Sequence, residues 1–189
     1  YIKEQLEYVG LIPSDKLVLV EVWNDSTRET TNIVFHSLFG RRVNDVLARA
    51  YAYVLGNMIG RNVRISVTDN GFMLTIPQMQ LKRELLSKVL DSVKPWNVEE
   101  CVKKALRRTE LLKKRFRHCA ERSFMLLRRY RGKEVSLERR QVNAEKLLEA
   151  VESIPKFPVL EETFREILED FMDLTHAKEV LEKIHRGDI

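Results

Sequence analysis

Apolar positions along this chain change period partway, and the change separates a strand-bearing first part from a helical remainder. Residues 1–12 place Ile2, Leu6 and Val9 at helical spacing, and Gly10 with Pro13 closes that segment. Leu17 to Trp23 is a Val/Leu-rich run that predicts a buried strand, and Thr31 to His36 predicts a second. The polar stretch from Asn24 to Arg28 joins them as an antiparallel hairpin with a rather long loop. Gly40 then breaks the chain. From Arg41 to Ile59, Val43, Val46, Leu47, Ala50, Val54 and Met58 recur on one helical face. Ala48, Ala52 and Gly56 recur every four residues on another face, where small side chains allow a packed strand or helix to approach closely. Val63–Thr68 and Phe72–Ile76 flank Asp69-Asn70-Gly71, whose Asn-Gly pair suits a tight turn with positive φ. The expected class is therefore α+β: a small antiparallel sheet of four strands, in two hairpins around one helix, followed by helices.

Beyond Gln80 the period is helical almost throughout. A short helix is predicted near Leu81–Val93, ending before Pro95-Trp96. Asn97 with Glu100 three residues later predicts a capping box at the start of the next helix. A long helix is predicted over Thr109–Tyr130, stopped by Gly132, and another from Ser136 to about Ser153. Pro155 and Pro158 mark a linker before two acidic helices. The expected organisation is a β-rich subdomain over residues 1–77 and a helical subdomain over 78–189.

Composition narrows the class. The chain has 189 residues, 44% hydrophobic, enough to build a core. Charge interrupts every apolar run before the roughly 20 residues that a spanning helix needs. Cys101 and Cys119 lack CxxC spacing and read as reduced thiols in a cytoplasmic protein. Four scattered histidines make no HxxxH or HExxH pair, so no metal site is expected. Tyr1 rather than Met opens onto structured sequence, which reads as a piece of a longer chain.

The net charge of +5 conceals an asymmetry that changes the picture. Residues 1–100 balance to zero, residues 101–140 carry +11, and residues 141–189 carry −6. A basic block of that density attracts polyanions. The alternative is an acidic tail that neutralises it from within. On the predicted helix Thr109–Tyr130, Leu112, Phe116, Cys119, Ala120, Ser123, Leu127 and Tyr130 share one face. Lys114, Arg117, Arg122, Arg128 and Arg129 lie opposite, with only Glu110 and Glu121 to oppose them. Five cations on one side repel one another unless something anionic compensates, and arginine forks suit phosphate. Arg41, Arg42 and Arg49 on the helix after Gly40 form a weaker cluster, because Asp45 stands four residues before Arg49. His36 and Phe39 add a further aromatic possibility.

Catalytic constellations are missing from the sequence. Gly132-Lys133 is followed by Glu134 and Leu127 stands five residues before Gly132, so no phosphate loop is formed; no DExD/H box, GxSxG elbow or paired nucleophile occurs. The chain reads as a non-catalytic part.

Four stretches, in order, resemble one family. They are Ile12-Pro13-Ser14-Asp15-Lys16 leading into LVLVEVW; Val34-Phe35-His36-Ser37-Leu38-Phe39-Gly40-Arg41-Arg42-Val43-Asn44; Arg115 to Arg122; and Met125 through Gly132 with Arg139-Arg140-Gln141. Together they resemble the DEAD/H-associated region of the large helicase-related (Lhr) superfamily-2 helicases, archaeal type. The resemblance implies a module just after the winged-helix part of an ATP-dependent helicase that tracks 3′ to 5′ along single-stranded DNA. ATP and Mg2+ would bind the RecA-like lobes outside this chain, leaving it no cofactor of its own. Its partners would be single-stranded DNA, with RNA or a DNA–RNA hybrid in scope, and the RecA-like and winged-helix domains of the same polypeptide. Bacterial relatives carry an aromatic where this chain has Val46 and Leu47, so the resemblance carries no base stacking over to that helix. Two functions stay open: a strand-holding module, or a module that docks its basic face on protein.

Overall fold

The computed structural model describes residues 2–107 and 109–189. In the first helix the side chains of Ile2, Gln5, Tyr8 and Val9 lie outside that description, and with them the apolar side expected there. The fold is α+β. By packing, the chain forms two compact units, one of residues 1–105 with 172–189 and one of residues 106–171.

The first unit is built on a four-stranded antiparallel sheet. After helix α1 (Ile2–Val9) come strands β1 (Leu19–Asp25) and β2 (Thr30–His36), helix α2 (Arg41–Ile59), then β3 (Arg64–Thr68) and β4 (Gly71–Pro77). The strand order is β1-β2-β4-β3, so the two predicted hairpins meet along β2 and β4. Register decides what the helix meets. Phe35 stands opposite Phe72, and Ile33 opposite Leu74. The Phe35 and Phe72 rings stack at 4.3 Å, and Tyr51 of α2 stacks on Phe35 at 5.3 Å. Val46, Ala50 and Leu55 of α2 are fully buried. The small-residue stripe has an occupant from the chain itself: a Cβ on Gly56 would lie 3.0 Å from the Arg61 carbonyl oxygen, where the chain turns back toward β3.

Gly71 is fixed by the opposite strand. A Cβ there would lie 2.1 Å from the Phe35 carbonyl oxygen, so only glycine lets β4 begin so close to β2. Helices α3 (Arg83–Ser92), α4 (Val98–Leu106) and α8 (Leu174–Arg186) complete this unit, and Lys178 of α8 pairs with Glu99 of α4 at 2.8 Å. The expected capping box at Asn97 is not formed. Its amide reaches backward, accepting from the Lys94 N–H and donating to the Ser92 carbonyl, and so holds the turn before α4 rather than the helix N-terminus.

The second unit contains α5 (Glu110–Arg122), a short ribbon of β5 (Arg129–Tyr130) and β6 (Lys133–Glu134), α6 (Leu137–Val151) and α7 (Pro158–Arg165), which continues into a π-helical turn over Glu166–Phe171. Thr109 caps α5 by accepting from the Leu112 N–H, and Ser136 caps α6 by accepting from the Arg139 N–H, as the sequence predicts for Ser136. Leu112, Phe116 and Ala120 of α5, Ala144 and Leu148 of α6, and Leu160 and Phe164 of α7 are all buried, and α5 packs against both α6 and α7.

The helix predicted through Tyr130 ends eight residues early. Ser123 closes it, and Phe124 turns the chain with φ 59°. Leu127 and Tyr130, expected in the core, are exposed instead.

Candidate nucleic-acid interface

The cations picked out by periodicity occupy three settings. At the start of α2, Gly40 leads in with φ 85° and no side chain caps the first turn. Arg41 and Arg42 are both exposed there, at the helix end that favours negative charge. Arg42 donates to the Met172 carbonyl at 2.7 Å, whereas Arg41 makes no such contact among the described residues. Arg49 is paired with Asp45 at 2.9 Å, the intrahelical pairing that the spacing allowed. His36 bonds Glu21 of β1 at 3.0 Å, and Val46 and Leu47 are core residues. Behind this surface Asn44, fully buried, donates to the carbonyls of Ser37, Thr68 and Asp69 and accepts from the Ser37 hydroxyl. One neutral side chain thus ties the end of β2 and the β3–β4 turn to α2.

Helix α5 is the second setting, and there the basic face is largely consumed. Glu166, with a side chain 7% exposed, binds Arg122 and lies 3.7 Å from Arg115. Arg115 also lies over the Phe171 ring at 3.6 Å. Glu121, its side chain 2% exposed, accepts from Arg128 at 2.9 Å and from Arg140 at 3.0 Å. Burial pushes the Glu121 carboxyl up, but the two arginines outweigh it and hold it below the usual carboxylate range. Arg117, expected on the solvent face, is buried, and its Nε has no hydrogen-bond partner. The physical reason is that α5 packs against α6 on one side and α7 on another, which leaves too narrow a strip of solvent for five cations. Lys114 remains exposed on that strip, beside a cavity of about 280 Å3 that Arg117 also lines. Burial, then the charge of Arg117, holds the His118 ring below its ordinary value, which favours the neutral form at pH 7.

The hairpin is the third setting, and the sequence did not foresee it. Arg129 lies on the ribbon and Arg128 just before it, rather than on α5. Arg131 and Gly132, with φ 50° and 79°, form the two-residue turn between β5 and β6. The root of the ribbon is held by the Arg128–Glu121 pair, by the Val135 N–H donating to the Arg128 carbonyl, and by the Leu126 N–H donating to the Ala120 carbonyl. Around it Phe124 is 83% exposed and Tyr130 57% exposed. Arg129, Arg131 and Lys133 make no ion pair among the described residues. The signal that finds these residues in the sequence is compositional: no Asp or Glu occurs between Arg122 and Lys133.

Comparison with known proteins places these features in a family. The family model described as "DEAD/H associated" matches residues 12–189. The chain belongs to that family. The DEAD/H-associated relatives include the ATP-dependent helicase Lhr-Core of Sulfolobus acidocaldarius, 50% identical over 100% of this chain and 21% of the relative. The protein of the same name from Saccharolobus solfataricus is 49% identical over 100% of this chain and 22% of the relative. This chain therefore spans about a fifth of the length of these curated DEAD/H-associated relatives. A solved structure, helicase Lhr of Mycobacterium smegmatis bound to ssDNA and AMP-PNP, is similar with a TM-score of 0.80 and 29% identity, covering 99% of this chain and 23% of that one. Among the described residues of this DEAD/H-associated chain, no helix is long and apolar enough to cross a membrane.

Proposed function

We propose that this chain is a non-catalytic accessory domain of an Lhr-type ATP-dependent helicase, and that it binds and guides single-stranded nucleic acid. The observation that carries this reading is the set of exposed cations without an internal anion: Arg41, Lys114 and Arg129, with Arg131 and Lys133 beside the last. Family membership supports the helicase context, and the similar helicase bound to ssDNA supports the choice of strand. Arg49, Arg122 and Arg128 are occupied by carboxylates and serve the fold first. In this reading ATP and Mg2+ bind RecA-like lobes outside the chain, and the winged-helix and RecA-like domains are its covalent partners. The Arg131-Gly132 segment is a hairpin turn, not a strand-to-helix phosphate loop, so its own backbone does not fit a nucleotide.

The test is fluorescence anisotropy with labelled single-stranded DNA, duplex DNA and RNA across a salt series. Single-strand binding that weakens as salt rises is expected, because phosphate contacts release counterions. An absence of binding at the lowest salt would move the basic surface to the second reading, docking on the helicase lobes or another protein. Trp96 favours that second reading locally: it is 71% exposed, with an edge contact to His185 at 5.4 Å.

A further inference from the structure

We infer that the β5–β6 hairpin and the turn before it form a base-stacking site for single-stranded nucleic acid. Phe124 and Tyr130 supply the stacking rings, and Arg129, Arg131 and Lys133 hold the adjacent phosphates. The inference rests on the strand-holding reading and names the site through which that reading acts.

Two costs coincide at Phe124. A bulky residue at φ 59° sits in a backbone region that L side chains avoid, and 83% of its surface faces solvent. Among the described residues of the second unit, none buries the ring. Tyr130 repeats the pattern at 57% exposure, with the Arg131 guanidinium 5.3 Å from its ring centroid. From Arg122 through Lys133 the chain carries five cations and no carboxylate. Arg122 and Arg128 are spent on Glu166 and Glu121, which leaves three.

A ribbon of two-residue strands has little stability of its own. This one is held at its root by the Arg128–Glu121–Arg140 cluster, by two backbone hydrogen bonds and by the buried Leu126. Rings and cations are therefore presented on a fixed base, which lowers the ordering cost of binding. The partner this surface fits is a polyanion that also offers flat apolar faces. A single strand does so, because its bases are unpaired and every base has a π-face. A duplex hides those faces in its stack, and an acidic protein surface offers few of them.

The experiment measures binding of the full 189-residue chain to labelled oligothymidylate, and to an abasic strand of equal length, across a salt series. The double variant F124A/Y130A is expected to bind oligothymidylate roughly 10-fold to 100-fold more weakly at every salt concentration, with the salt slope unchanged, since rings release no counterions. On the abasic strand it is expected to match the wild type. R129A/R131A/K133A is expected to flatten the salt slope on both strands. Because both rings are exposed, the circular dichroism spectrum and melting temperature of F124A/Y130A should match the wild type. Wild-type affinity in F124A/Y130A overturns the stacking site while leaving the strand-holding reading in place. Failure of the wild type itself to bind any strand overturns both.

Discussion

The two units secure their interiors by different chemistry. The sheet-bearing unit closes on stacked aromatic rings and on neutral buried polar side chains, Thr31, Asn32, Ser37 and Asn44, and the bonds of Asn44 are independent of pH. The helical unit closes on two nearly buried carboxylates, Glu121 and Glu166, each gripping two arginines. A neutral interior stays indifferent to acid. A carboxylate-clasped interior depends on it, and also removes from service arginines that a sequence presents as available for an external anion. Basic charge on a helix is thus a poor guide to binding until the carboxylates around it have been placed.

The sharpest challenge to this contrast is steric. Gly71→Ala is expected to destabilise the sheet-bearing unit by more than about 4 kcal/mol, because the new Cβ meets backbone that cannot yield. Both tryptophans, Trp23 and Trp96, lie in that unit, so urea unfolding followed by tryptophan emission reads it alone. A wild-type midpoint would mean that β2 and β4 do not approach as described.

Glu121→Ala should cost about 3 kcal/mol, since it strands Arg128 and Arg140 without their anion. The loss should register in far-UV circular dichroism while the tryptophan midpoint stays put; movement of the tryptophan midpoint would mean that Glu121 also supports the sheet-bearing unit. Asn44→Ala should cost about 2 kcal/mol through its unpaired carbonyl partners. It should do so equally at pH 5 and pH 8, and a pH-dependent loss would contradict the neutral closure.

Titration sharpens the contrast with smaller effects. The folded Glu121 carboxyl lies below its unfolded value, so its contribution is present above about pH 4.3 and is lost as pH falls further. The helical unit should therefore lose stability in acid through Glu121, and Glu121→Gln should flatten that dependence. Burial, then the Asp91 charge, pushes the Tyr51 hydroxyl up from 10.0 to about 12. Its contribution is present below about pH 10 and is lost as pH rises toward 12, so the sheet-bearing unit should be the alkali-labile one. Tyr51→Phe should abolish the alkaline loss and leave the neutral-pH midpoint nearly unchanged.

Much of the fold was legible where local chemistry and tertiary demand agreed. Helix α2 begins and ends where Gly40 and the apolar stripe place it, and the β3–β4 hairpin forms where expected, although its turn is Asp69-Asn70 without positive φ and Gly71 already belongs to β4. Helix α5 overran its true end because neither Gly nor Pro stands at the break. Leu126, Leu127 and Tyr130 keep a helical period, while the chain is turned by Phe124 in a conformation that no local signal predicts. The candidate site was legible as a basic region but not as particular residues. Arg117 and Arg122 were placed on a free face by spacing alone; the return of α6 and α7 buries Arg117 without a partner for its Nε, and the π-helical turn brings Glu166 to Arg122.

The first unit is discontinuous in the chain, and this has a consequence for synthesis. Helix α2 buries part of its surface against α8, and Arg42 donates to the carbonyl of Met172; both partners emerge only after the whole second unit has been made. At ribosomal rates of roughly 5–20 residues per second, α2 waits on the order of ten seconds for them. The helical unit, contiguous and short-range, can close during that interval. Synthesis therefore completes the residues of the helical unit before the last helix of the sheet-bearing unit, although most of the sheet-bearing unit precedes both in the sequence.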